Sequence, residues 1–372
     1  MIVKKTVIEY NKKKQIILAF LSQRLFSMFY ESKDRQINLY KLKREETGLE
    51  RITLGKTELK VSPICLGGGS YGGSVKEPQA REQLDHLREL GGNFVDTAVI
   101  YCDWFEGERS SSQNMIGRWL KDRKCRHEMV LSVKGCNGKV IRPTNSLATA
   151  PRTPRRLHRA DIIEDIELSL KNLGTDYLDI FTLHHDNEEV EIEEILETLE
   201  EQKKRGVIRA YGCSNWRIAR QEQARAYAQA KSLSGFMVDQ INWCLNVFAP
   251  AASGNKNNPV MDAEAYKFHQ KTKIPVMAYG ANGRGYFHRV ANKMPLREQD
   301  YTEYAKQSHF GNIERRGRTD RRADQQHCAA LSDDGSRVSN HPHHRRKIHT
   351  GTGYVYGVVK CKTAQRNRRG AL

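Results

Sequence analysis

Four apolar, strand-like segments of this chain each end in polar residues, and this pattern constrains the fold more than any other feature. The segments cover residues 94–98, 129–134, 177–184 and 208–215. Their polar residues include Asp96, Lys134 and His184. Functional side chains at the C-terminal ends of parallel strands are typical of α/β barrel enzymes, whose active sites lie at that face of the barrel. The pattern therefore predicts a parallel α/β sheet with a site at its C-terminal edge.

Strand-like runs alternate with helical patterns from about Arg51 onward. Seven strands are predicted, at residues 63–67, 94–98, 129–134, 177–184, 208–213, 236–242 and 275–280. Between them apolar residues recur every three or four positions, and glycines such as Gly174 stand where helices should end. This alternation indicates βαβ units. The predicted fold is an α/β barrel of the TIM (β/α)₈ type.

The eighth strand of such a barrel is not recognisable. From about Ser308 the chain is rich in Arg, His, Gly and Asp, and its only strand-like run is 354–359. Low apolar content with high charge is typical of disorder. A shifted reading frame is a second interpretation, because plausible codons for residues 339–350, read one nucleotide later, encode a buried strand and a Gly-rich phosphate loop. We therefore predict a barrel that is incomplete at its C-terminal end, with unpaired edges on its first and seventh strands.

Three regions are predicted along the chain. Residues 1–48 form an N-terminal extension, disordered or non-native, residues 49–307 form the barrel, and residues 308–372 form an atypical basic tail, disordered or frameshifted. The net charge of +18 lies mainly at the two ends, where 11 Lys or Arg face 5 Asp or Glu in 1–48, and 14 face 5 in 308–372. The nearly neutral middle does not indicate a nucleic-acid partner.

The cysteine pattern and the hydropathy of the sequence indicate in which cellular compartment the protein is expected. Eight cysteines are scattered without a Cys-x-x-Cys pair, which is typical of reduced thiols in a cytoplasmic protein. No apolar run approaches the roughly 20 residues that span a bilayer, so no membrane partner is predicted. The short run 16–21 resembles the start of a signal peptide, but Gln23 and Arg24 interrupt the apolar residues after it.

Several motifs together resemble the aldo-keto reductase superfamily, over about residues 51–306. They are Gly92-Asn-Phe-Val-Asp-Thr-Ala98, Leu170-Lys-Asn-Leu-Gly-Thr-Asp-Tyr-Leu-Asp179, Gly212-Cys-Ser-Asn215, and Gln240 in the sixth predicted strand. Members of that family are single TIM barrels that reduce carbonyl compounds with NADPH, less often with NADH. The resemblance implies a small-molecule carbonyl substrate and an NADP(H) cofactor, with NAD(H) as the alternative.

The resemblance further implies a catalytic set of four residues, Asp96, Tyr101, Lys134 and His184. Hydride delivery to a carbonyl carbon leaves an alkoxide that needs a proton. Tyr101 would be the donor, and because an unperturbed Tyr has a pKa near 10, the ammonium of Lys134 would be needed to stabilise its phenolate. Asp96 would keep the buried Lys134 charged, and His184 would donate a hydrogen bond to the carbonyl oxygen.

Cofactor contacts are also implied by the resemblance. Ser214, Asn215 and Gln240 would hold the nicotinamide carboxamide, and Trp243 would stack on the nicotinamide ring. The family's eighth strand and the loop after it bind the adenosine phosphate, and neither is found in this sequence. Two alternative functions remain: a cofactor-binding regulatory subunit of the same fold, and an inactive truncated or frameshifted product.

Other candidate groups have weaker patterns. The glycine-rich run 67–73 lacks the Lys-Ser/Thr of a phosphate-binding loop and is interpreted as the first βα loop. Neither the histidines at 341–349 nor the arginines at 315–322 have the pattern of a specific site, so no metal and no nucleic acid are predicted. Trp104 and Phe105 are interpreted as an apolar wall of the carbonyl pocket, and His185 and Asp186 as loop residues. The sequence does not indicate an oligomeric state.

Overall fold

The computed structural model describes residues 49–243, 258–281, 289 and 294–295, and the backbone of 354–359. The predicted N-terminal extension at 1–48 lies outside the described residues. So do the histidine and arginine clusters, the segment assigned to a shifted reading frame, and all of the basic tail except 354–359.

In the described part of the chain seven parallel strands form a curled sheet, which is preceded by an antiparallel hairpin of two short strands. The hairpin consists of β1 (Ile52–Thr53) and β2 (Lys60–Val61). The parallel strands are β3 (Ile64–Gly67), β4 (Phe94–Ala98), β5 (Val130–Gly135), β6 (Leu178–Leu183), β7 (Ile208–Ser214), β8 (Asp239–Asn242) and β9 (Val276–Tyr279). Each overlaps its predicted segment, and the prediction of a barrel of the (β/α) type that lacks a complete eighth unit is confirmed.

Within the described residues six helices follow β3 to β8 in turn, and each connects one parallel strand to the next. They are α1 (Glu77–Glu89), α2 (Ser111–Arg123), α3 (Arg159–Leu173), α4 (Ile192–Lys204), α5 (Ile218–Ala230) and α6 (Ala263–Thr272), with a 3₁₀ turn at Arg126–Glu128. In α3 the buried residues include Ile162, Ile166 and Leu173, which form one face at helical spacing. The helix ends at Gly174, whose φ of 64° is left-handed and favours glycine. No helix in the described part of the chain is long and apolar enough to cross a membrane.

The eighth position is occupied by β10 (Tyr354–Val359), which runs antiparallel to both β3 and β9. A parallel eighth strand, as in a complete (β/α)₈ barrel, is therefore not what closes the described barrel, and the expectation of unpaired edges on the first and seventh strands is wrong. The physical reason is that each edge presents free N–H and C=O groups. The run Tyr-Val-Tyr-Gly-Val-Val, rich in aromatic and β-branched residues, suits a strand that pairs with them.

Alternate residues of the parallel strands point into the barrel and outward to the helices. Near the N-terminal ends the interior is an apolar cluster that contains Cys65, Phe94, Val130, Ile180, Ala210, Val238 and Met277. Two residues further along, the inward positions become polar, with Asp96 on β4, Ser132 on β5 and Gln240 on β8. The outward residues join the helices in the largest hydrophobic cluster. The strand register thus places a layer of polar side chains directly above the apolar cluster inside the barrel.

Candidate active site

Asp96 and Lys134 meet in the polar layer of the barrel. The register of β4 and β5 places Asp96 beside Ser132 and Ala98 beside Lys134. The Lys134 ammonium donates a short hydrogen bond to Asp96 Oδ2, and the other carboxylate oxygen, Oδ1, accepts 3.0 Å hydrogen bonds from Ser132 Oγ and Gln240 Nε2. Asp96 is therefore an acceptor for three donors on two other strands, β5 and β8.

The environment of Lys134 keeps its side chain charged. Burial alone would lower the pKa of this ammonium, but the charge of Asp96 and the hydrogen bonds to Asp96 and Tyr101 outweigh it, and the pKa is raised above its ordinary value. The Lys134 nitrogen lies 4.9 Å from the centroid of the Tyr101 ring. A cation consequently sits next to the phenol at neutral pH.

His184 completes this group just beyond the end of β6. Its ring centroid is 5.8 Å from that of Tyr101, nearly perpendicular at 83°, and its backbone N–H donates to the Gly135 carbonyl at 2.9 Å. Burial, with help from the charges of His185, Lys134 and Arg152, holds the pKa of His184 well below its usual range. The imidazole is therefore neutral, and its buried Nδ1 has no hydrogen-bond partner among the described residues.

Ser214 and Asn215 connect the ends of three neighbouring strands. Ser214 Oγ donates to the Gln240 carbonyl at 2.8 Å, while Asn215 Nδ2 donates to Ser214 Oγ at 2.9 Å and to the His184 carbonyl at 3.0 Å. Asn215 has a left-handed φ of 60°, a conformation that Asn tolerates better than most residues. These bonds fix the amide of Asn215 beside His184.

Gln240 and Trp243 lie on and just after β8. Gln240 Nε2 donates to Asp96 Oδ1 at 3.0 Å. The ring of Trp243 packs on Tyr266 with centroids 6.1 Å apart, and its backbone N–H donates to the Tyr279 carbonyl at 3.1 Å. The structure thus brings Asp96, Tyr101, Lys134 and His184 together, with Gln240 in direct contact, whereas the Trp243 ring packs against α6.

Comparison with known proteins identifies the family to which this arrangement belongs. The model of the Aldo/keto reductase family matches residues 63–324, which is more than half of the chain. The chain belongs to the aldo/keto reductase family.

Curated relatives of this aldo/keto reductase include three oxidoreductases. An uncharacterized oxidoreductase of Bacillus subtilis is 30% identical over 198 residues, covering 53% of this chain and 59% of that protein. Norsolorinic acid reductase of Aspergillus flavus is 28% identical over 53% of this chain and 50% of the relative. A putative aryl-alcohol dehydrogenase of Saccharomyces cerevisiae is 29% identical over 53% and 52%. The chain spans about half the length of these relatives.

A solved structure is also similar. An aldo-keto reductase from Bacillus halodurans, in its holo form, superimposes with a TM-score of 0.50 and 26% identity, covering 67% of this chain and 71% of that one.

Two residues that contact the predicted set are not among the sequence-based candidates. Ser132 precedes Lys134 by two positions, so the period of a strand puts both on the inner face, and this spacing is a usable signal. Tyr279 ends β9, and its hydroxyl donates to Asn215 Oδ1 at 2.6 Å. An aromatic residue at a strand end is common in barrels, so its sequence position carries little information.

An apolar cluster lies on one side of Tyr101. Its buried members are Ala98, Ile100, Cys102, Trp104, Val140 and Ala150, and Tyr101 and Phe105 pack against them. The glycine-rich loop after β3 packs close to it, since a Cβ at Gly73 would lie 2.5 Å from a ring carbon of Phe105. The Tyr101 phenol therefore has this apolar cluster on one side and the Lys134 ammonium on another.

Proposed function

We propose that this aldo/keto reductase is an NAD(P)H-dependent oxidoreductase that reduces an aldehyde or ketone to an alcohol. The observation that carries the proposal is the position of the Tyr101 phenol beside both the Lys134 ammonium and the neutral imidazole of His184. A weak acid beside a fixed cation and a neutral hydrogen-bond donor is suited to protonating an oxygen on which negative charge develops.

In this proposal Tyr101 donates its proton to the carbonyl oxygen. Lys134 stabilises the phenolate that remains, because its ammonium is adjacent and its raised pKa keeps it protonated. Asp96 holds that ammonium in place through the hydrogen bond to Oδ2. His184 is neutral and so offers an N–H that orients the carbonyl oxygen without competing as a charged acid.

The cofactor contacts are proposals of the same kind. A bound nicotinamide cofactor would supply the hydride. A carboxamide has two N–H donors and one acceptor oxygen, and we assign the oxygens of Ser214, Asn215 and Gln240 to accept its N–H groups, because the hydrogens of Ser214 Oγ and Asn215 Nδ2 are already donated within the protein. Stacking of Trp243 on the nicotinamide ring stays a prediction. We favour NADP(H) because the family resemblance implies it, and NAD(H) stays the alternative, since the strand and loop that bind the adenosine phosphate in the family are not found in this sequence.

The apolar cluster beside Tyr101 supports an aromatic carbonyl compound as substrate. Trp104 and Phe105 lie within 6.0 Å of each other, centroid to centroid, next to the phenol. One relative is named a putative aryl-alcohol dehydrogenase, which is consistent with a flat apolar substrate body in this position.

An assay of cofactor oxidation against a panel of aromatic and aliphatic aldehydes tests the proposal. We expect NADPH-dependent turnover, greater with aromatic aldehydes. Tight cofactor binding without turnover would favour the regulatory-subunit alternative. Absence of cofactor binding by a folded chain would favour the alternative of an inactive, truncated or frameshifted protein. Either outcome would contradict the proposal of a reductase.

A further inference from the structure

A short antiparallel ribbon in the loop between β5 and α3 carries Arg152 toward the active site. Val140 and Arg152 form an antiparallel bridge pair. The Ile141 N–H donates to the Pro151 carbonyl at 2.8 Å, and the Thr153 N–H donates to the Lys139 carbonyl at 2.9 Å. Directly opposite residues of an antiparallel pair project to the same face. The Arg152 side chain therefore leaves the ribbon on the same face as Val140.

Val140 shows which face this is. Its side chain is buried, at 5% exposure, in the apolar cluster that packs against Tyr101. Ala150, two residues before Arg152, belongs to the same cluster. Arg152 accordingly projects toward the Tyr101 side of the loop. Its charge is close enough to lower the pKa of both His184 and His185.

The guanidinium of Arg152 lacks an acidic partner among the described residues. Its Nε is buried and has no hydrogen-bond partner there, while Nη2 donates to the Leu147 carbonyl at 3.0 Å. Burial lowers the pKa of this group, and within the described part of the chain no carboxylate opposes that effect. A partly buried cation with an unused donor costs free energy, because the solvation that it loses is not replaced.

Two neighbouring arginines differ from Arg152 in this respect. Arg109 has the carboxylate of Asp103 at 3.8 Å. Arg156 is bonded to three acidic residues, with Asp161 at 3.0 Å and Asp165 at 2.8 Å among them. Arg109 and Arg156 therefore have acidic partners, whereas Arg152, whose charge affects His184, has none among the described residues.

We propose that Arg152 binds an anionic group of the substrate, so that the favoured substrates are aldehydes or ketones bearing a carboxylate or another oxyanion. This inference rests on the proposed function, because it assigns specificity at the same site. The planar guanidinium presents paired donors that match a carboxylate. The apolar cluster would contact the body of the substrate, Tyr101 its carbonyl end and Arg152 its anionic end. The anionic group itself does not change in the reaction.

A matched pair of substrates tests the proposal. The kcat/KM values for 4-carboxybenzaldehyde and its neutral methyl ester are compared in the wild type and in Arg152→Met, Arg152→Lys and Arg142→Met. Arg142 is exposed in the same loop and serves as the control. Arg152→Met should lower the carboxylate-to-ester ratio of kcat/KM about 10- to 100-fold, as expected for lost hydrogen bonds to a charged group, mainly through KM. Arg152→Lys should lose part of this ratio and Arg142→Met none.

The outcomes separate this inference from the proposed function. Turnover of both aldehydes with a ratio that Arg152→Met leaves unchanged would overturn the role of Arg152 and leave the reductase standing. If neither aldehyde is reduced, binding of 4-(hydroxymethyl)benzoate by calorimetry decides: equal binding to the wild type and Arg152→Met, or no binding to either, overturns the inference. If Arg152→Met does not fold, the same comparison is made with Arg152→Lys, and an unchanged ratio counts against the proposal.

Discussion

Lys134 and Asp96 form an ion pair inside the barrel, where their side chains are 2% and 0% exposed. Two neutral donors, Ser132 and Gln240, complete the hydrogen bonding of the carboxylate. A buried ion pair recovers little more than the solvation it loses, so its contribution to stability is small. Its more important effect is positional, because it holds an ammonium against the Tyr101 ring.

Breaking this ion pair from one side should destabilise the protein strongly. Asp96→Asn leaves the Lys134 ammonium without its counter-ion, and Lys134→Met leaves a buried carboxylate, so each should cost about 3–5 kcal/mol of unfolding free energy. The double variant should cost less than the sum of the two, since no isolated charge remains. Urea denaturation of the four proteins measures the cycle. Strictly additive effects would contradict a coupled pair.

Tyr101→Phe should lower kcat about 10²- to 10⁴-fold, the range attributed to general acid catalysis, with little change in cofactor affinity. The reason is that the substitution removes the proton donor and leaves the ring in place. Tyr227→Phe is the matched control, because Tyr227 lies on α5 and its hydroxyl contacts only Glu197 among the described residues. Steady-state kinetics and cofactor titration by fluorescence give the two readouts. Undiminished kcat in Tyr101→Phe would remove this residue from the mechanism.

Acid should destabilise the protein through His184 and His185. Burial depresses the pKa of both, for His185 to about 3, so below pH 6.5 the unfolded chain binds protons that the folded imidazoles do not. Unfolding free energy should therefore fall with decreasing pH, by at most about 1.4 kcal/mol per unit for each histidine. Denaturation at pH 7 and pH 5 should show that the free energy of unfolding falls less in a His184→Gln/His185→Gln variant than in the wild type. His86→Gln, at an exposed position of α1, should behave like the wild type.

The parallel sheet is predictable because its strands are buried on both faces. Each of the seven is an apolar run of strand length between helical patterns, which a local reading detects. The hairpin of β1 and β2 is not predictable from the sequence, because strands of two residues are too short to show an alternation of apolar and polar residues. The position of β10 in the barrel is not predictable either, because its antiparallel pairing with both β3 and β9 depends on contacts between residues far apart in sequence.

Gly117 gives a test of helix packing in the fold. A Cβ at this position of α2 would lie 2.4 Å from the Asn172 carbonyl oxygen. Helix propensity favours Ala over Gly by about 1 kcal/mol, but forcing α2 away from α3 costs about 1–3 kcal/mol, so Gly117→Ala should be neutral to destabilising by about 2 kcal/mol. Lys121→Ala, at an exposed position of the same helix, controls for propensity. A stabilised Gly117→Ala protein in thermal unfolding would contradict the close approach.

The candidate site is predictable where chemistry and strand position coincide. Asp96, Lys134 and His184 stand out because charged or titratable residues are rare at the ends of apolar strands. Ser132 could have been found from its two-residue spacing to Lys134 on the inner face of β5, whereas Tyr279 is not distinguishable, since hydroxyl groups occur at strand ends for many structural reasons. Arg152 gives no signal in the sequence, because its lack of a counter-ion among the described residues is a property of the folded loop.

The direction of β10 has a consequence for how the chain reaches the rim of the barrel. Tyr354 lies opposite Gly67, where β3 ends near the active site, and Val359 lies opposite Val276, where β9 begins. The chain thus enters the closing strand from the catalytic rim and leaves it at the opposite end of the barrel. A parallel eighth strand would place its last residue at the rim, whereas here the first residue of the closing strand, Tyr354, lies there.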